Sequence, residues 1–217
     1  LNTFSAKPIL FIVSGPSGSG KRTLIQHIVN RLPEIERVPT YTTRSPRSGE
    51  IPNVDYVFVT TEEFSQLLKS GEIYEYTRTY GDQLYGSPRR LLEDHDGRDL
   101  IVELDYKGMF RIRASTSRRV VSIFILPPVL DVLPRRIEKR TREHNITNRL
   151  AIASEQLQFA WAYDYVLMNE KMDYFLQDAT CIVKTELLKK KGIKQLLEYR
   201  HHYDFTLLDQ AKIDISS

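Results

Sequence analysis

Residues 9–32 read ILFIVSGPSGSGKRTLIQHIVNRL, and this stretch decides the fold. Ile9 to Val13 is a short, uniformly apolar, β-prone run bounded by Pro8 and Gly15, which suits a strand buried on both faces of a parallel sheet. From Arg22 onward, Leu24, Ile25, Ile28, Val29 and Leu32 recur at helical spacing and stop before Pro33. Strand, glycine-rich turn and helix therefore follow in order. Within the turn, Gly15, Pro16, Ser17, Gly18, Ser19, Gly20 and Lys21 fit the pattern G-x-x-x-x-G-K-[ST]. In that pattern backbone N–H groups cradle phosphates, the lysine reaches the outer phosphates, and the next hydroxyl binds Mg2+. Only the last position departs: Arg22 stands where the hydroxyl belongs, and Thr23 offers one a residue late.

Working outward, DLIVELD (99–105), VVSIFIL (120–126) and DYVLMN (164–169) read as further strands separated by helix-length stretches. Alternating strands and helices predict an α/β fold with a parallel sheet flanked by helices. Between the first helix and Asp99 the texture changes. VDYVFV and EIYEYTRTY surround TTEEFSQLLKSG, which predicts a mostly β insertion with one helix, opened by a Thr60–Glu63 capping box and stopped at Gly71. Near the far end TELLKKKGIKQLLEYRHHYD is helical and then loses periodicity, and Lys189 to Lys191 read as a solvated face without a function.

Hydrophobic residues make up 41% of the 217 and charged residues 27%, an ordinary balance for one folded domain. Thirty-one Lys+Arg against 28 Asp+Glu leave a net charge of +3, too small a bias to imply a nucleic-acid partner. The single cysteine, Cys181, excludes an internal disulfide and points to a reducing, cytoplasmic setting. No apolar run approaches the ~18 residues of a membrane span. LNTFSAKP lacks a basic leader and a cleavage site, and the missing initiator methionine suggests a trimmed chain.

The second cluster of chemistry is YTTRSPRSGEIPNVDYVFV (41–59). Arg44 and Arg47, three apart around the stiffening Pro46, are able to converge on one small anion. Tyr56, Glu75 and Tyr85 follow at positions from which a β lobe would fold over the same spot. Further on, Arg136 and Arg140 are four apart and share a helix face.

With GPSGSGK, TYTTRSPRSGE, VDYVFV, IYEY, LYGS, IVELDYKG, FILPP, RRIEKR and YVLMN in this order and spacing, the chain resembles the guanylate kinases over roughly residues 8 to 180. The resemblance implies a P-loop nucleoside-monophosphate-kinase fold with a GMP-binding insertion and a short helical lid. It divides the single domain into a core (1–35 and 88–180), a GMP-binding lobe (about 36–87), a lid (about 136–150) and a C-terminal helical extension (about 181–217). It implies phosphoryl transfer from ATP to GMP with Mg2+, small-molecule partners only, no membrane, and a homodimer left open. Gly15 to Thr23 and Asn169 would then hold ATP. Arg44, Arg47, Tyr56 and Tyr85 would hold the GMP phosphate and Thr40 and Glu75 the guanine, with Glu50 and Ser87 also in the GMP site and Glu103 there near Mg2+ and the nucleophile. Lys21, Arg44, Asp105, Arg136, Arg140 and Arg149 would serve the transfer, the last three from the lid, and Thr23 and Asp105 would touch the metal indirectly.

Four departures stand out: Arg22, Glu103 where aspartate is usual, Asn53 in place of the glycine before the Asp55–Tyr56 pair, and a shorter lid. An arginine cannot ligate Mg2+, so its guanidinium is expected to contact a β- or α-phosphate. Two other readings share these residues: an inactive interaction module, which has no use for Lys21, and a kinase for another phosphate acceptor, which has none for Thr40 and Glu75.

Overall fold

The architecture follows from the two faces of the first strand. The structure, a computed structural model, describes residues 7–78, 82–94, 96–127 and 154–202. Strand β1 (Ile9–Ser14) is buried along its whole length, and its side chains alternate between two apolar layers. Ile9, Phe11 and Val13 join Leu24, Ile25 and Ile28 of helix α1 (Lys21–Arg31), with Phe175, Ala179 and Val183 from the C-terminal helix. Leu10 and Ile12 join Leu100, Val102, Met109 and Ile112 on the other side. A strand covered on both faces has no polar face to alternate with, which is why its sequence is apolar without a break.

The remaining elements are β2 (Ile35–Arg37), β3 (Thr40–Thr42), β4 (Tyr56–Phe58), α2 (Thr61–Lys69), β5 (Ile73–Arg78), β6 (Leu84–Pro88), β7 (Asp99–Glu103), α3 (Tyr106–Ser115), β8 (Arg119–Leu126), β9 (Tyr165–Met168) and α4 (Met172–His202). Among the described residues the strands form two sheets, a parallel one ordered β2-β7-β1-β8-β9 and a second ordered β4-β3-β6-β5. Because β1 lies between β7 and β8, the crevice at its C-terminal end is where an open α/β sheet binds ligands. The turn Gly15–Gly20 occupies that end. Ser14 Oγ donates to the Leu104 carbonyl at 2.7 Å, which ties the tip of β1 to the tip of β7.

The second sheet has a small apolar core of Phe64, Ile73 and Leu84, closed by α2. The capping box at Thr60 and Glu63 is present, and Gly71 leaves α2 with a φ of 77°. A register shift between Ile73 and Glu75 aligns Glu75 with Ser87; without it, the pairing of Ile73 with Pro88 would set Glu75 opposite Gly86.

The C-terminal helix differs from its sequence reading at both ends of its packed face. It begins at Met172 and packs Phe175, Ala179 and Val183 against the sheet. Lys190, expected on a solvated face, is paired with buried Asp99, whose other oxygen accepts the Ile9 amide at 2.7 Å. Glu186 is likewise buried between Arg119, Lys189 and the Tyr165 hydroxyl. Among the described residues, no helix is long and apolar enough to cross a membrane.

Among the lobe's described glycines, Gly86 leaves the least room for a side chain. A Cβ there would lie 2.7 Å from Ile73 Cγ2 and 2.8 Å from Phe64 Cζ. Gly86→Ala is expected to destabilise the protein by about 1–3 kcal/mol through overpacking, read as a lower urea midpoint; an unchanged midpoint would show that the lobe core yields without cost.

Candidate active site

The glycine turn has the geometry of an anion cradle. Gly15, Gly18 and Gly20 all take positive φ, at 142°, 84° and 111°. Side chains are excluded at two of them by contact as well as by strain. A Cβ at Gly15 would sit 2.5 Å from the Ile125 carbonyl oxygen, and one at Gly20 would sit 2.4 Å from Asn169 Nδ2. Asn169, reached from the end of β9, is buried and donates to the Ser19 carbonyl at 2.7 Å. It therefore fastens the loop that the resemblance expects it to accompany. No side chain caps α1, so the N–H groups of its first turn face the crevice without a competing acceptor. Lys21 Nζ donates to the Gly15 and Pro16 carbonyls at 2.7 and 3.0 Å and lies 3.5 Å from Glu103 Oε1. Ser17 is exposed at the rim, and Thr23 is half-buried in the first turn of α1.

The lobe supplies a second cationic site. Arg44 is only 6% exposed, and its guanidinium makes a bidentate pair with Glu50 at 2.8 and 3.0 Å. Its Nε donates to the Tyr85 hydroxyl at 3.0 Å, and its centre lies 5.1 Å from the Tyr56 ring. Burial works against the guanidinium's charge, but Glu50 and Tyr85 raise its pKa above the ordinary arginine value. Burial likewise opposes ionisation of Glu50, yet Arg44 and the Arg47 amide, which donates at 2.7 Å, hold its carboxyl below the usual range. Glu50, expected among the groups facing GMP, thus grips the arginine instead: a carboxylate turned to a phosphate would repel it. Burial first, then the negative charge of Glu103, pushes the Tyr56 phenol well above its ordinary value. Glu103 therefore pairs with Lys21 and its charge also acts on the Tyr56 phenol.

A third group of side chains lies at the junction of lobe and core. Glu75 is buried in β5 and accepts a hydrogen bond from Ser87 Oγ. Its other oxygen lies 3.2 Å from Arg111 Nη1 of α3, and Arg111 also donates to the Tyr76 carbonyl at 2.9 Å. Gly108 permits this approach, since a Cβ there would come within 3.0 Å of Glu75 Oε1. Asp105 caps α3, its Oδ1 accepting the Gly108 amide at 2.7 Å. Thr40 is buried in β3, on the other side of β6.

Arg22 departs from its expected place. Its guanidinium reaches Asp55 Oδ2 at 2.8 Å and the Gly49 carbonyl, both in the lobe, rather than turning over the glycine cradle. The reason is electrostatic: Asp55 is a buried carboxylate that needs cations. Asn53 takes a φ of 62°, a conformation asparagine tolerates better than most residues, so its substitution for glycine keeps the turn. Arg136, Arg140 and Arg149 lie outside the described residues.

The guanylate kinase family model matches residues 6–186. The chain belongs to the guanylate kinase family. It is 34% identical over 189 residues to the guanylate kinase of Wolbachia sp. subsp. Brugia malayi (strain TRS), covering 85% of this chain and 96% of that one. To the guanylate kinase of Oceanobacillus iheyensis it is 37% identical over 200 residues, covering 88% and 96%. The crystal structure of guanylate kinase from Anaplasma phagocytophilum superposes with a TM-score of 0.70 at 30% identity, over 93% of this chain and 99% of that one. The contacts that no local motif announces are those of Arg111 with Glu75 and of Arg22 and Arg37 with Asp55.

Glu75 gives a test of this geometry. Burial raises its pKa most, the Asp105 charge adds to this, and Ser87 and Arg111 oppose it. The native state thus holds this proton more tightly than the unfolded chain, so the contribution of Glu75 to stability falls as pH rises from the ordinary glutamate value to the raised one. Carbon-detected NMR titration should place the Glu75 carboxyl above an ordinary glutamate, and Arg111→Ala should move it higher still. A titration that Arg111→Ala leaves in place would separate the two residues.

Proposed function

We propose that the protein is an ATP:GMP phosphotransferase, converting ATP and GMP to ADP and GDP. The observation that carries this reading is the presence of two anion sites, the uncapped N-terminus of α1 with Lys21 and the Arg44–Tyr56–Tyr85 group, on segments joined by the contact of Arg22 with Asp55 and Gly49, together with the buried Glu75. In the reaction an oxygen of the GMP phosphate forms a bond to the γ-phosphorus of ATP as the bond to the β–γ bridging oxygen breaks. Such a transfer needs positioning and charge neutralisation more than proton chemistry.

On this reading the N–H groups of Gly15 to Thr23 hold the ATP phosphates and Lys21 swings from the loop carbonyls to the outer ones. Asn169 keeps the cradle in shape. Arg44 and Arg47, with Tyr56 and Tyr85, hold the GMP phosphate, and Glu50 keeps Arg44 in position. Thr40, Ser87 and Glu75 read guanine: a carboxylate accepts from both N1–H and N2–H2, whereas adenine offers Glu75 no such donor pair. Arg136, Arg140 and Arg149 are assigned to the transferring charge.

The donor set fits Mg2+ held mainly by substrate phosphates and water, the usual pattern for this ion. Asp105 has one oxygen engaged in capping and Glu103 pairs loosely with Lys21, which leaves both able to accept from metal-bound water. The ion would neutralise charge between the β- and γ-phosphates. We place the activity in the cytoplasm, in keeping with a chain whose one cysteine, Cys181, excludes an internal disulfide.

A coupled assay of ADP formation with ATP, Mg2+ and a panel of nucleoside monophosphates tests the proposal. GMP should be the preferred acceptor. Lys21→Ala should lower kcat on the order of 100-fold or more, the scale of losing one charge-stabilising donor. Glu75→Gln should narrow the GMP-to-AMP preference by roughly tenfold or more, because the amide presents one acceptor and turns a donor toward guanine. A folded protein that binds GMP without forming ADP would overturn the reading, and unchanged selectivity would remove Glu75 from the base site.

A further inference from the structure

Arg22 is left unexplained by the phosphate-loop pattern. We propose that it is a positioning residue for the acceptor site: anchored on Asp55, it ties the first turn of α1 to the lobe segment that presents Arg44, Glu50 and Tyr56. The inference rests on the acceptor role given to that segment above.

Asp55 is the centre of the arrangement. Its side chain is 2% exposed and gathers cations from two elements of the core: Arg22 Nη2 of α1 at 2.8 Å from Oδ2, and Arg37 Nη2 of β2 at 2.9 Å from Oδ1. Within the lobe, Oδ2 accepts the Ile51 amide at 2.8 Å, and the Asp55 amide donates to the Ile51 carbonyl at 2.9 Å. Asp55 therefore closes the turn 51–55 on itself. The flanks of that turn are Glu50, which grips Arg44, and Tyr56, which lies under the Arg44 guanidinium. The Gly49 carbonyl, one residue before Glu50, accepts from Arg22 as well. Both flanks are thus held to a residue that directly follows Lys21 in the phosphate loop.

The two arginines play unequal parts. Arg37 is 9% exposed and fixed beneath the lobe, whereas Arg22 is 39% exposed and reaches across the crevice from the loop side. A hydroxyl at position 22 is too short for this span, so the residue that gives up a metal ligand gains a direct link between donor and acceptor sites. Loss of Arg22 leaves Asp55 paired with Arg37 and the lobe folded, with the turn less firmly placed over the loop.

The test measures GMP binding by calorimetry, KM for each substrate, and backbone hydrogen exchange over residues 44–58, in the native protein and in Arg22→Ala, Arg22→Lys and Asp55→Asn. Arg22→Ala is expected to weaken GMP binding about three- to tenfold, the effect of a partly exposed ion pair, with a smaller change in KM for ATP and faster exchange at 49–56. Arg22→Lys should recover most of the loss. Adding Arg22→Ala to Asp55→Asn should cost less than it does alone, as coupled residues require. The proposal is overturned if Arg22→Ala shifts KM for ATP or the Mg2+ dependence while GMP binding and exchange stay put, since the guanidinium then serves ATP. It is equally overturned if nothing changes, or if the two substitutions act additively. Binding and exchange need no turnover, so a native protein without kinase activity would sink the proposed function while leaving these measurements to decide the interlock.

Discussion

The pairing of Arg44 with Glu50 is the interaction on which the lobe around the second sheet depends. Two opposite charges withdrawn from water are costly unless each oxygen and N–H finds a partner. Here the guanidinium fork meets both carboxylate oxygens, with Tyr85 and the Ser45 carbonyl taking further donors and the Arg47 amide donating to Glu50 Oε2 as well. The lobe's own apolar core, Phe64, Ile73 and Leu84, is small. Its stability and shape therefore lean on polar contacts, and these are the contacts that a phosphate-binding surface requires. An arginine fixed in place by a carboxylate and stacked near Tyr56 and Phe58 presents its edge to an anion without first having to be ordered.

The core supplies the opposite arrangement, an extensive apolar frame with few polar intrusions. Both layers around β1 are apolar and fully packed against it, so its C-terminal end is a rigid point from which the glycine turn departs. Asn169 and Ser14 stitch that turn to the neighbouring strands through buried hydrogen bonds. The apolar core and the charge-built lobe meet where Glu75 touches Arg111 of α3 and Arg22 of α1 touches Asp55. Both cross-contacts place an exposed arginine of the core on a buried carboxylate of the lobe, an asymmetry suited to a junction that has to hold its geometry while substrates enter.

Much of this was legible in the sequence wherever local periodicity or a local motif carried it. The strand–turn–helix of residues 9–32, the capping box at Thr60, and the apolar runs of β7, β8 and β9 each show within a single window. The three-residue strands β2 and β3 are too short for a period to register. Contacts across long sequence separation left no local trace. Lys190 reads as one of three solvated lysines until Asp99, 91 residues away, is brought beneath it. Arg111 looks like an ordinary helical arginine until β5 crosses α3. Arg22 was legible as an anomaly but not as a link, because its destination is set by the burial of Asp55, which depends on how the lobe folds against β2. Asn53 is the converse case: a departure in letters that preserves the backbone conformation.

The central claim is that the two anion sites serve one direct transfer between nucleotides. Phosphorus NMR of a mixture of ATP, GMP, Mg2+ and the native protein reads that transfer without a coupling enzyme. The account predicts that the β-phosphorus signals of ADP and GDP grow in equal amounts while inorganic phosphate stays at background. Growth of inorganic phosphate without GDP, or a spectrum that stays at ATP and GMP, would contradict it.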